Sequence, residues 1–67
     1  MNLFRLLKVL PDEEVITIVQ ANYEAEEFNV TFSDEAQELD ISPADLITLT
    51  VKLIKVDNGD LTIYVTR

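Results

Sequence analysis

Asn58-Gly59 stands between two runs rich in β-branched residues, and this pair is the favoured centre of a tight type I′ hairpin turn. A two-residue turn fixes register: Asp57 faces Asp60, Val56 faces Leu61, Ile54 faces Ile63 and Lys52 faces Val65. Ile54, Val56, Leu61, Ile63 and Val65 then share one face, as a core requires. Leu53, Lys55, Thr62 and Tyr64 lie on the other. Upstream, Ile47, Leu49, Val51 and Leu53 alternate in the opposite phase, which predicts a bulge at Leu53-Ile54 or a segment still turning before the strand begins.

The rest of the chain arranges itself around this hairpin. Leu3, Leu6, Leu7 and Leu10 follow the spacing of one helix face, with Asn2 as cap and Pro11 as terminator. Val15-Ile16-Thr17-Ile18-Val19 reads as a strand apolar on both faces. A turn is expected over Ala21 to Ala25. Phe28, Val30 and Phe32 alternate with Asn29 and Thr31, giving a second strand with one wet face and its phenylalanines in the core. Ser33 is read as the cap of a helix reaching about Leu39. Ser42-Pro43-Ala44-Asp45 is a second helix start, with Pro at the first helical position. The predicted fold class is α+β: a single domain over 1–67, with a small four-stranded antiparallel sheet made of two hairpins. One or two short helices pack on one of its faces.

A chain of 67 residues buries a small core, only about 60% of its unfolded surface. With no Cys and no His, disulfides and the common zinc sites are excluded, so self-association is the remaining reinforcement. An apolar content of 48% makes it plausible and argues against disorder. The missing cysteines and the lack of an apolar stretch of transmembrane length fit a cytoplasmic protein.

Charge is distributed unevenly. Between Val9 and Val51 there is no Lys or Arg, and the same stretch holds eleven of the thirteen carboxylates behind the net charge of −8. Such a field repels nucleic acid and anionic lipid and attracts basic surfaces. Catalysis is not expected, because there is no His base, no Cys nucleophile and no glycine-rich phosphate loop. Ser33 and Ser42 read as helix caps. Asp57-Asn58-Gly59-Asp60 resembles a calcium loop superficially, but the EF-hand pattern would place ligands at Ile54 and Val56, so the hairpin reading prevails. No cofactor and no metal are expected.

The opening Leu3-Phe4-Arg5-Leu6-Leu7-Lys8-Val9-Leu10-Pro11-Asp12, the run Glu14-Val15-Ile16-Thr17-Ile18 and the closing Val51 to Val65 hairpin resemble small acidic uncharacterised proteins of phages and mobile elements of Gram-positive bacteria. The resemblance covers both ends and leaves 21–46 loosely matched. Some small acidic phage proteins block host DNA-binding enzymes or defence systems, so it implies an inhibitory role and carries over no catalytic residue.

The functional expectation is a non-catalytic acidic binding protein. In its sharpest form it is a phage-type inhibitor that imitates nucleic-acid charge and engages the basic surface of a protein partner. Glu24, Glu26, Glu27, Asp34, Glu35 and Glu38 would supply the charge, and Tyr23 the aromatic contact. Acidic surfaces also serve solubility alone. The alternative is a small self-associating structural or adaptor protein, a homodimer through a second apolar sheet face of Val15, Val19, Val51, Leu53 and Tyr64.

Overall fold

The computed structural model describes all of residues 1–67. Asn2 begins the first helix, α1 (Leu3–Val9), by accepting the Arg5 N–H on its side chain at 2.9 Å. A helix this short does not persist alone. It is anchored by Leu3 and Leu6, which are buried, and by backbone bonds from Leu3 N–H to Leu49 C=O and from Val51 N–H to Met1 C=O, both 2.8 Å. After the Pro11–Glu14 turn come β1 (Val15–Asn22) and β2 (Glu27–Glu35). A single 3-10 turn over Ala36–Glu38 and the helix α2 (Pro43–Ile47) lead to β3 (Thr50–Asp57) and β4 (Asp60–Thr66).

The strand order is β2-β1-β4-β3. Each hairpin is antiparallel, as expected, but the central pair β1–β4 is parallel. The segment 36–49 leaves β2 at one end of the sheet and delivers the chain to β3 at the other, so β3 runs in the direction of β2. A crossover of that length permits it. Both helices lie on one face, and the Cα envelope of 33 × 30 × 18 Å is that of a two-layer slab.

The core lies between these layers. Ile16 and Ile18 of β1 and Ile63 and Val65 of β4 are buried beneath Leu3, Leu6, Leu46 and Leu49. The central strands take the covered positions, and the outer strand β3 leaves Ile54 and Val56 exposed beyond the helices.

Several local expectations are corrected. Ser33 is no helix cap: β2 continues to Glu35, paired with Val15, and the Ser33 hydroxyl lies 3.0 Å from that of Thr17. The first hairpin turn is Tyr23–Glu26 rather than Ala21 to Ala25, because pairing extends to Asn22 and Glu27 and the Asn22 side chain accepts the Ala25 N–H at 3.2 Å. A bulge opposite Ile18/Val19 inserts Thr31, so Phe32 joins the core while Phe28 and Val30 turn to the other face. The β3 bulge falls at Lys52, between Val51 and Leu53. Val51 therefore pairs with Val65 and packs against the core, and the expected pairing of Lys52 with Val65 does not form. The Ser42-Pro43 start and the Asn58-Gly59 turn form as expected: the Ser42 hydroxyl accepts the Asp45 N–H, and Asn58 and Gly59 hold φ of 52° and 84°.

Candidate binding face

The sheet face turned away from the helices is built in rows that cross all four strands. Val30, Val19, Tyr64 and Leu53 form one row, each paired with the next. Ser33, Thr17, Thr62 and Lys55 form the neighbouring row. On the far side of the apolar row, toward the Tyr23–Glu26 turn, Phe28 pairs with Ala21. The open face is therefore apolar at one end and polar at the other. Strand alternation, shifted at the Thr31 bulge, produces the division.

Aromatic side chains organise the apolar end. The Tyr23 and Phe28 rings meet edge to face at 5.6 Å and 83°, and Phe28 and Tyr64 at 6.3 Å and 80°. Such pairs contribute about 0.5–1.5 kcal/mol beyond their burial. Val19 lies almost fully beneath them, whereas Val30 is 65% and Phe28 51% exposed. Around them is a shallow hollow of about 510 Å³. Lys55 reaches in from the polar row, its Nζ 5.6 Å from the centroid of the Tyr64 ring. This is within the range of a cation–π contact.

The expected acidic residues divide into two groups. Tyr23, Glu24, Glu26 and Glu27 are together at the first hairpin turn, beside the aromatic end. Asp34, Glu35 and Glu38 lie at the opposite end of β2, about 25 Å away at ~3.3 Å per residue. There the Asp12–Glu14 turn joins them through the bonds from Ala36 N–H to Glu14 C=O and from Gln37 N–H to Asp12 C=O. No group of three or more acidic side chains converges to hold a metal ion.

Of the residues expected to mediate self-association, Val19, Leu53 and Tyr64 share the apolar row. Val15 lies on the same face beyond Thr17, and Val51 is on the opposite face against the core. Phe28 and Val30 were missed as surface residues, because nothing in Phe28-Asn29-Val30-Thr31-Phe32 signals a bulge. No polar or charged side chain is buried anywhere in the molecule, and no helix is long and apolar enough to cross a membrane. Comparison with family models, with curated proteins and with solved structures finds no match to this chain.

Proposed function

We propose that the chain is a non-catalytic binding protein that engages a basic protein surface through the apolar end of its open sheet face. The observation that carries this reading is the exposed cluster of Tyr23, Phe28 and Tyr64 at the end of the sheet where the turn carries Glu24 and Glu26, with Glu27 on the reverse of the strand. Exposed aromatic and aliphatic side chains supply the desolvated centre of an interface, and charge around them steers encounter. The division of the carboxylates favours a local contact over an extended imitation of nucleic acid. The burial of only apolar residues supports a non-catalytic role, since a general acid needs a desolvated carboxyl.

The test is retention from nuclease-treated lysate on immobilised protein, compared among wild type, Phe28→Ser with Tyr64→Ser, and Glu24→Lys with Glu26→Lys and Glu27→Lys. A basic protein held by wild type, lost with either variant and released by salt supports the reading. Equal retention by all three, or no retention by wild type, overturns it.

A second reading is favoured by the row Val30, Val19, Tyr64 and Leu53, which is apolar across the whole sheet width. Two copies facing one another there would make a homodimer. Sedimentation gives a mass that rises with concentration, and Leu53→Lys abolishes the rise, if this reading holds. A monomer at every concentration counts against it.

A further inference from the structure

The sheet has two free edges, β2 and β3, and they differ. β2 carries Glu27, Asp34 and Glu35 and no base, so a copy laid against it meets like charge. β3 is closed at its start, where Asn2 bridges Thr50, Leu3 N–H donates to Leu49 C=O and Val51 N–H donates to Met1 C=O. Beyond the bulge at Lys52 it is open. The two-residue Asn58-Gly59 turn makes Asp57 and Asp60 a bonded pair, so by alternation Ile54 and Val56 direct N–H and C=O away from β4. Neither makes a backbone bond on that outer side. Ile54, Lys55, Val56 and Asp57 are all exposed, Val56 to 71%. Such an edge is a template for another strand.

We propose that this edge pairs with the same edge of a second copy of the chain, antiparallel about a two-fold axis at Val56. The sequence there is its own complement. Laid antiparallel on itself, Lys55-Val56-Asp57 sets each Lys55 against the partner's Asp57, and Val56 against the partner's Val56. Lys55 and Asp57 share the open face, two residues apart, so both charge pairs form on one side.

Other registers fail. Only Ile54 and Val56 offer outward backbone groups, which leaves three ways for the two edges to meet. Centring on Ile54 brings the partner's Asp57 against Val51, whose outer N–H is already bonded to Met1. Centring on Lys55 sets the two lysines directly opposite, and like charges there are destabilising. Pairing β3 with β2 of a copy would be parallel and would not close. Centring on Val56 gives two backbone bonds between the valines and two opposite-charge pairs. It also relieves a like-charge opposition inside the hairpin, where Asp57 faces Asp60. Lys55, whose Nζ lies 5.6 Å from the Tyr64 centroid in the single chain, swings outward to reach its new partner.

The axis is perpendicular to the sheet, so both open faces stay free and on the same side. The dimer then presents two aromatic ends at once. Because the contact uses only the edge, it stands whether or not the open face binds a basic protein.

The contact is small, so the test is sedimentation equilibrium of the full chain up to millimolar concentration, beside amide shifts of the isotope-labelled chain. For wild type the mass should rise toward that of a dimer, with shifts concentrated at Ile54 to Asn58. Lys55→Asp opposes acid to acid at both contacts and Asp57→Lys opposes cation to cation, so each should weaken association about tenfold. Mixing the two variants pairs opposite charges again and should recover a dimer containing one of each. Both variants stay acidic overall, so attraction of net charge cannot produce that recovery. Val56→Pro removes the outward N–H at a position where an edge strand tolerates Pro, and should abolish the dimer with the fold retained by circular dichroism. Should that variant lose its fold, the mixing result decides alone. A monomer at every concentration, or no recovery on mixing, overturns the proposal. So does a dimer that Leu53→Lys abolishes and Val56→Pro leaves intact, which would assign association to the open faces instead.

Discussion

Glu26 holds a φ of 54°, a left-handed conformation that Asn58 and Gly59 also adopt at 52° and 84°. For Asn and Gly this is ordinary turn chemistry. For Glu it costs about 1 kcal/mol, because Cβ crowds the following carbonyl. Glu26→Gly should therefore raise stability by about 0.5–1 kcal/mol, seen as a higher urea midpoint at unchanged slope. The same change removes one turn carboxylate, so binding to a basic partner should weaken. Stability gained with affinity lost would identify the glutamate as kept for its charge. Gly59 gives the converse case. A Cβ added there meets nothing within 4 Å, so Gly59→Ala is penalised only by the backbone angle of 84°, by about 1 kcal/mol.

At the scale of elements, α1 depends on docking rather than on its own propensity. Leu3 is fully buried and Val9 is 75% exposed, although both belong to the same seven-residue helix. Leu3→Ala should cost about 3 kcal/mol, enough to unfold much of so small a domain, and Val9→Ala less than about 0.5 kcal/mol. Thermal denaturation followed by circular dichroism separates the two. The elements legible in the sequence are those decided locally. Asn2, Ser42-Pro43 and Asn58-Gly59 act through bonds or angles within three or four residues, and each occurs where it was read. The misread elements are those decided across strands. Ser33 has a cap's chemistry, but pairing of Glu35 with Val15 extends the strand past it. Thr31 became a bulge because of what lies opposite it, which no local pattern records, whereas the phase change ahead of Ile54 signalled the β3 bulge and missed its place by one residue. The site divides in the same way. Tyr23 was legible as an aromatic contact and Tyr64 as part of the second sheet face, whereas Phe28 and Val30 reach the open face only through the Thr31 bulge.

For the molecule as a whole, one charge distribution should produce two opposite responses to salt. The net charge is −8 on a Cα envelope no longer than 33 Å. At about 0.01 M salt the Debye length is about 30 Å, so nearly every carboxylate repels every other across the fold, and at about 1 M it is about 3 Å. Screening should therefore stabilise the folded chain, in which the charges are held closer than in the unfolded one. A gain of about 1 kcal/mol corresponds to a rise in Tm of roughly 4–8 °C for a domain of this size. Binding to a basic partner should change the other way, because the attraction that steers and holds it is screened by the same ions. Melting and binding measured over one salt series distinguish this from a surface that serves solubility alone. In that case Tm still rises, but affinity stays flat, since the apolar row of Val30, Val19, Tyr64 and Leu53 would then bind independently of the carboxylates beside it.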